Sequence, residues 1–173
     1  VFKDTTGPLL ERLVATSPIP VVAHLAVLSG SAVISLSKVQ GFRAPTTVSS
    51  IGVRLPAHLT ATGRSLLAAL TPAQVTALYP HHRDLIVRAG GGPRTRAQLD
   101  AILLQAREVG WAREDGEITL DYASVGAAAV ERNGYPVAAV GVTFRSELAG
   151  DAEWERLGAD VRGTAATLAG RLR

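Results

Sequence analysis

Cysteine and methionine are absent from this 173-residue chain, and aromatic residues make up only 5% of it. The absence of cysteine excludes disulfide bonds, thiolate catalysis and cysteine-bound zinc or iron–sulfur centres, which leaves histidine and carboxylate side chains as possible metal ligands. The scarcity of aromatic side chains predicts that any ligand pocket has mainly aliphatic walls and offers no large stacking platform.

Long apolar runs are also missing, and none approaches the roughly 18 to 20 residues that a membrane-spanning helix requires. The first residues include Lys3, Asp4, Glu11 and Arg12, which is unlike a signal peptide. We therefore expect a cytoplasmic protein that does not enter a membrane. Because the chain begins at Val1 and contains no methionine, we also expect it to be part of a longer polypeptide with an upstream module.

The length and an apolar content of 47% suffice for a single domain with a buried core, and we expect residues 1–173 to form one domain. The chain has 18 basic and 15 acidic residues, so its net charge is only +3. The arginines are scattered singly from Arg12 to Arg173 and form no stripe that would neutralise several phosphates together. We do not expect this chain itself to bind DNA.

Hydrophobic periodicity and turn signals predict an α+β domain with an antiparallel sheet. The predicted helices cover Pro8 to Thr16, Thr60 to Leu70, Thr71 to Tyr79, Thr95 to Val109, and Asp151 to Leu172. The predicted strands cover Val21 to Leu28, Ala32 to Val39, Thr46 to Val53, Trp111 to Arg113, Tyr122 to Glu131, and Tyr135 to Phe144. Turn residues at Ser29-Gly30-Ser31 and Asn133-Gly134 indicate two hairpins.

Helix ends carry their own signals. Thr60 and Asp151 are predicted N-caps, Thr95 and Gln98 are predicted to form a capping box, and Gly110 is predicted to end the long helix. The last helix is predicted to bury one face, formed by Trp154, Leu157, Val161, Ala165 and Leu168.

Sequence signatures of enzymes are not found. The chain has no G-x-S-x-G turn, no phosphate-binding G-x-x-x-x-G-K-[ST] loop and no H-E-x-x-H pair, and the glycines from Gly90 to Gly92 indicate a flexible connection. We predict no catalytic residue and no cofactor.

The histidines and clustered carboxylates have simple interpretations as surface residues. Of the four histidines, His24 falls in the predicted strand from Val21 to Leu28, and we expect His58, His81 and His82 to lie in exposed loops without binding a metal. Four carboxylates lie within eight positions and indicate a solvated turn: Glu114, Asp115, Glu117 and Asp121. Among them, Asp115 is the one that we expect to face inward.

The segment around Thr60-Ala61-Thr62-Gly63 is the most informative. A turn that opens into a helix presents unpaired backbone N–H groups at the positive end of the helix dipole, which favours a carboxylate. An ordinary capped helix would have the same sequence, so this pattern alone leaves both interpretations open.

Several segments together resemble the IclR family of bacterial transcription regulators. Residues from Pro56 to Ala68 resemble its Pro-x-His-x-x-x-x-Gly-Lys-x-Leu-Leu-Ala pattern, and Arg107 to Ala112 resemble its R-x-x-G-Y/W-A helix exit. His24 to Leu28 resemble its first sensor strand, and Ala127 to Val130 with Val137 to Val140 resemble its closing hairpin. The four motifs occur in the family's order and span nearly the whole chain.

The resemblance implies a GAF-like effector-binding domain, with a curved antiparallel sheet flanked by helices and a pocket on one face. It implies a homodimer or tetramer that binds DNA only through an N-terminal winged helix-turn-helix domain absent from this chain. The family's ligand contacts fall on Ala61 and Thr62 within the Thr60 to Gly63 turn and on Asp115, Val125, Gly141 and Thr143. Arg64 stands where the family usually has lysine, and Ala129 where proline is frequent.

We therefore predict a domain that senses a partly apolar organic acid or aromatic metabolite, with the ligand's polar end at the Thr60 to Gly63 turn. Two alternatives remain at this point. One is a small hydrolase that uses His58 and Asp115, and the other is a ligand-free oligomerisation module whose assembly depends on the stripe from Trp154 to Leu168.

Overall fold

The computed structural model describes residues 2–46 and 51–172. The helices of this part are α1 (Phe2–Thr16), α2 (Ala61–Ala68), α3 (Pro72–Leu78), α4 (Arg96–Val109) and α5 (Asp151–Arg171). Its strands are β1 (Val22–Ser29), β2 (Ala32–Gln40), β3 (Arg54–Pro56), β4 (Ala112–Asp115), β5 (Tyr122–Val130) and β6 (Pro136–Arg145). They form one curled antiparallel sheet in the order β3-β2-β1-β6-β5-β4.

Helices cover both faces of the sheet. Helices α1 and α5 pack on one face, where Val125 and Phe144 join the larger hydrophobic cluster, and α2 and α4 pack near the other, with Ala139 in the second cluster. Because successive residues of a strand point to opposite faces, small and aliphatic residues on both sides allow β5 and β6 to be buried between the helical layers. This is the predicted α+β architecture.

Both predicted hairpins are present. Strands β1 and β2 pair antiparallel, as do β5 and β6. The second turn is longer than a two-residue Asn-Gly turn, because Gly134 donates to the Glu131 carbonyl at 2.9 Å and the Glu131 amide donates to Tyr135 at 2.8 Å. Gly134 has a φ of +87°, which a residue with a side chain rarely adopts.

The stripe of the last helix lies in the core of the chain. Trp154, Leu157, Val161, Ala165 and Leu168 are all buried in the cluster beneath the sheet. The predicted apolar face is therefore confirmed, and it packs within the domain instead of being available for assembly.

Some predicted helix ends need correction. The first helix begins at Phe2 and continues through Pro8, which lies in its second turn and lacks the amide that would bond to the carbonyl group four residues earlier. The last helix has Gly150 as its N-cap, and Asp151 is its first helical residue, because Glu153 accepts a hydrogen bond from the Gly150 amide at 2.8 Å.

The long helix α4 begins and ends as predicted, with one change at its cap. Thr95 accepts a hydrogen bond from the Gln98 amide, but the Gln98 side chain accepts from the Arg94 amide at 2.7 Å instead of completing a capping box with Thr95. Gly110 ends the helix with a φ of +86°. The strand predicted from Thr46 to Val53 lies partly outside the described residues, and the described strand in this region is Arg54–Pro56.

Candidate functional site

A cavity of about 60 Å³ lies between the start of α2 and the sheet, beside the loop that connects β4 and β5. A buried water needs roughly 10–15 Å³ of such space, so the cavity has room for a small organic molecule. Its apolar lining consists of Ala26, Val33, Val53, Leu55, Ala61 and Ile118. Its polar lining consists of His24, Ser35, Thr60, Thr62, Glu114, Thr119, Tyr122, Ser124 and Thr143. Apolar walls with a few convergent polar groups are typical of ligand sites.

Polar side chains in the cavity come from five adjacent strands. Glu114 on β4 pairs with Ser124 on β5, and Ser124 pairs with Thr143 on β6. The hydroxyl groups of Ser124 and Thr143 are hydrogen-bonded at 2.9 Å. His24 on β1 and Ser35 on β2 continue the polar lining toward the other edge of the sheet.

The predicted turn at the start of α2 is formed as a capped helix end. Thr60 accepts a hydrogen bond from the Gly63 amide at 3.0 Å, and Thr60, Ala61 and Thr62 line the cavity. A Cβ atom at Gly63 would collide with the Ala57 carbonyl oxygen and Thr60 Oγ1, so this position requires glycine to close the turn. Gly63 supports the turn and does not line the cavity.

Two glycines of the sheet allow the helix start to come close. A Cβ atom on Gly126 would lie 2.8 Å from the Thr62 nitrogen, and one on Gly141 would lie 2.7 Å from Thr62 Cγ2. Gly141 therefore lies directly beneath the predicted turn, and the space left by its missing side chain is what admits Thr62 and His24.

A buried ion pair fixes the turn to the β4–β5 loop. Arg64 is buried and forms hydrogen bonds through its guanidinium to both carboxylate oxygens of Glu117, at 3.0 and 2.6 Å. The same group donates to the carbonyl oxygens of His58 and Arg113, each at 2.8 Å. A planar guanidinium satisfies this set of acceptors, whereas the single ammonium of lysine has no such fork.

Four of the residues predicted to contact the ligand line the cavity, namely Thr60, Ala61, Thr62 and Thr143. Asp115 lies elsewhere: it is exposed, and its carboxylate accepts a hydrogen bond from the Ser146 hydroxyl at 2.7 Å. Val125 is buried on the opposite face of the sheet, against the α1 and α5 side.

The residues that line the cavity at those two places are Glu114 and Ser124, one position earlier in each strand. An error of one residue is decisive in a strand, because it transfers every side chain to the other face. The alternation of apolar Ala112 and charged Arg113 is the signal in the sequence that indicates an inward Glu114.

The cavity contains two titratable groups with strongly shifted pKa values. Burial raises the pKa of the Glu114 carboxyl to about 7, although hydrogen bonds from the Glu117 amide and Ser124 and the charge of Arg64 oppose this rise. Burial lowers the pKa of the His24 imidazole to about 4, with a smaller opposing effect of the Val22 backbone. Near neutral pH, His24 is therefore uncharged and Glu114 is partly protonated.

The expectation of a histidine in an exposed loop was wrong for His58, whereas His24 lies in a strand as predicted. His58 is buried and its Nε2 lies 2.7 Å from the Ile86 carbonyl oxygen, whereas His24 lies in the cavity wall. His81 and His82 are exposed. Within residues 2–46 and 51–172, no group of three or more histidine or carboxylate side chains could hold a metal ion.

The family model of the bacterial transcriptional regulator IclR C-terminal region matches residues 2–169. The chain belongs to the IclR family. It is 35% identical over 97 residues to the HTH-type transcriptional regulator XynR of Escherichia coli (strain K12), across 54% of this chain and 37% of that protein. The chain thus spans well under half the length of this curated relative.

Solved structures of IclR-type regulators have the same fold. The repressor BlcR of Agobacterium tumefaciens superposes with a TM-score of 0.89 at 26% identity, over 99% of this chain and 67% of that one. An IclR homolog from Microbacterium hydrocarbonoxydans, crystallised with 4-hydroxybenzoate, superposes with a TM-score of 0.85 at 20% identity, over 99% of this chain and 68% of that one. The predicted GAF-like α+β fold is confirmed. In the described part of the chain, no helix is long and apolar enough to span a membrane.

Proposed function

We propose that this IclR C-terminal domain binds a small, partly apolar organic acid or aromatic metabolite in the cavity beneath α2. The observation that carries this proposal is the cavity itself, in which aliphatic walls surround a few buried polar side chains and the first residues of a helix. The 4-hydroxybenzoate bound by the Microbacterium homolog has the same chemical character.

The acidic end of the ligand is placed at the Thr60 to Gly63 turn. The amides of Ala61 and Thr62 belong to the first turn of α2, where backbone N–H groups lack partners within a helix and the helix dipole favours an anion. Glu114 contributes a hydrogen-bond donor when it is protonated, which its raised pKa allows near neutral pH.

The effect on DNA is exerted through the rest of the protein. The whole protein comprises this effector domain, residues 1–173, and an upstream winged helix-turn-helix domain, forms a homodimer or tetramer, and acts in the cytoplasm. Ligand binding selects between arrangements of the linked subunits, and it shifts their populations only by its difference in affinity for them.

The alternatives are less well supported. The relatives named above are transcriptional regulators and not enzymes, and the residues of the hydrolase alternative have separate partners, Ile86 for His58 and Ser146 for Asp115. The stripe from Trp154 to Leu168, on which the assembly alternative depended, is buried within the domain.

Thermal-shift and calorimetric measurements of ligand binding test the proposal. The panel consists of monocyclic aromatic acids, including 4-hydroxybenzoate and phenylacetate, and short 2-oxo acids. A ligand at one hundred times its Kd adds roughly 2.7 kcal/mol of stability. Thr62→Val preserves the shape of the side chain, and we expect it to weaken binding about fivefold or more, because it removes a polar group from the cavity wall. The matched control is Thr167→Val, at an exposed residue of α5. Unchanged affinity in Thr62→Val would show that the anchoring turn is misplaced.

A further inference from the structure

Two polar atoms at the β1–β2 end of the cavity have no partner with hydrogen-bond geometry, although the Val22 backbone lies near enough to His24 to oppose the fall in its pKa slightly. Among the described residues, three buried side-chain atoms lack such a partner: Nδ1 of His24, Oγ of Ser35 and Nδ1 of His58. Both His24 and Ser35 line the cavity, whereas His58 does not. In native proteins nearly all buried polar atoms form hydrogen bonds, because a buried atom without a partner has lost its bonds to water and gained nothing in return. Each exception therefore requires an explanation.

The two residues are neighbours on the same face of the sheet. Ser35 pairs directly with Ala26, and Ala26 lies two positions along β1 from His24. Residues two apart in a strand point to the same side, so both polar groups face the cavity. Ala26 and Val33 surround them with apolar wall.

At the opposite end of the polar lining, the fully buried side-chain atoms have partners within the chain. Ser124 and Thr143 bond to each other, and Glu114 accepts a hydrogen bond from the Glu117 amide at 3.2 Å. Among the cavity side chains of the described residues, the fully buried atoms without a partner therefore lie on β1 and β2. The start of α2 lies over β5 and β6, which are one to three strand positions from β1 and β2, a distance of roughly 5 to 15 Å. A molecule with one ring spans the lower part of this range.

The chemistry of the pair selects a particular group on the ligand. Because burial keeps the pKa of His24 near 4, its imidazole is neutral at physiological pH and has one donor and one acceptor nitrogen. The serine hydroxyl both donates and accepts. A ligand hydroxyl, which also donates one hydrogen bond and accepts others, is complementary to both residues.

We propose that His24 and Ser35 form a second binding pole of the cavity, and that the effector is an organic acid with a hydroxyl group at the end remote from its acidic group. This inference rests on the proposed function, because it takes the acidic end to lie at the Thr60 to Gly63 turn. The ligand hydroxyl donates to one of the two residues and accepts from the other.

Matched pairs of acids that differ only by the hydroxyl group test the proposal on the full chain by calorimetry. The pairs are 4-hydroxybenzoate with benzoate, 4-hydroxyphenylacetate with phenylacetate, and 4-hydroxybutyrate with butyrate. In at least one pair, we expect the hydroxy acid to bind roughly tenfold more tightly than its partner.

Variants show whether His24 and Ser35 cause this preference. Ser35→Ala and His24→Phe are each expected to bring the ratio of the two affinities close to one, because the loss of binding falls mainly on the acid that carries the hydroxyl group. The matched control is Ser37→Ala, on the same strand at a residue that does not line the cavity. Ser35→Ala removes an unsatisfied atom, so its unfolding temperature without ligand should be equal to or above that of the wild type. A lower unfolding temperature would instead indicate that Ser35 has a structural role, so this measurement distinguishes such a role from a contact with the ligand.

The outcomes distinguish this inference from the proposed function. Equal binding of both members of every pair, or a ratio that persists in Ser35→Ala, overturns the hydroxyl pole and leaves the acid-binding cavity standing. If no acid of any pair binds to the wild-type chain, the proposed function and the hydroxyl pole both fail.

Discussion

Replacing Glu114 with glutamine should change how the stability of this domain depends on pH. Glu114 is only 5% exposed, and burial raises its pKa from 4.5 to about 7 in the folded chain. A carboxyl group with a raised pKa contributes stability that is fully present below about pH 4.5 and is lost as the pH rises through about 7. The wild type therefore has a destabilising contribution at neutral pH that Glu114→Gln lacks.

The size of the effect follows from the two pKa values. A difference between 4.5 and about 7 corresponds to roughly 3 kcal/mol in total. Between pH 5 and pH 7.5, we expect the free energy of unfolding of the wild type to fall by roughly 2 kcal/mol relative to that of Glu114→Gln. Glutamine keeps the length of the side chain and an oxygen that can accept from the Glu117 amide, so packing should change little.

Comparison with the variant is necessary because His24 has the opposite effect. Its pKa is lowered to about 4, so its contribution to stability is present above about pH 6.5 and is lost as the pH falls toward 4. The two contributions partly offset each other in the wild type. His24 is present in both proteins, so its contribution cancels in the difference between them.

Urea unfolding of both proteins at pH 5 and pH 7.5 measures this difference, with Asp115→Asn as the control at the adjacent, exposed carboxylate. The control should follow the wild type at both pH values. If the difference in unfolding free energy between wild type and Glu114→Gln is the same at pH 5 and pH 7.5, Glu114 is not a buried carboxyl group with a raised pKa, and the placement of its side chain is wrong.

Two further predictions concern the buried ion pair of Arg64 and the packing of helix α5. Arg64→Ala should lower the free energy of unfolding by about 3–5 kcal/mol in urea titrations, because it leaves the largely buried carboxylate of Glu117 and two carbonyl oxygens without their partner; a loss below 1 kcal/mol would indicate a solvent-screened pair. On helix α5, Gly158→Ala should destabilise the domain by about 1–3 kcal/mol or more, because the new methyl group would collide with the Trp111 ring. At Gly163 no atom lies within 4 Å of the new methyl group, so Gly163→Ala should stabilise the same helix by roughly 0.5–1 kcal/mol. Equal effects of the two substitutions in thermal melts would contradict the packing of Gly158 against Trp111.

Much of the fold could be predicted because its signals are local. A capping threonine before α4, a glycine after it, and glycine-containing turns between strands act over a few residues and do not depend on the rest of the chain. One of the errors at helix ends arose where two residues compete for one role. Gly150 is the N-cap of α5 although Asp151 has the more usual capping side chain.

The site was predicted less completely, because its geometry depends on strand faces. The Thr60 to Gly63 turn is local and forms at its predicted position beside the cavity, whereas the cavity is lined by Glu114 and Ser124 and not by the predicted Asp115 and Val125. The family pattern is loose enough to allow a shift of one residue, and a strand converts that shift into the opposite face.

The sequence by itself determined the order of helices and strands, the two hairpins and the membership of the IclR family, since each depends on neighbouring residues or on motifs in a fixed order. Only the tertiary structure decided that Arg64 meets Glu117, 53 positions away, and that His24 and Ser35 face one cavity with Glu114. Such contacts depend on which strands are adjacent and which face each residue occupies. The adjacency of strands is set by the packing of helices on the two sides of the sheet and has no local signal in the sequence. The alternation that indicates a strand face extends over only four residues in β4.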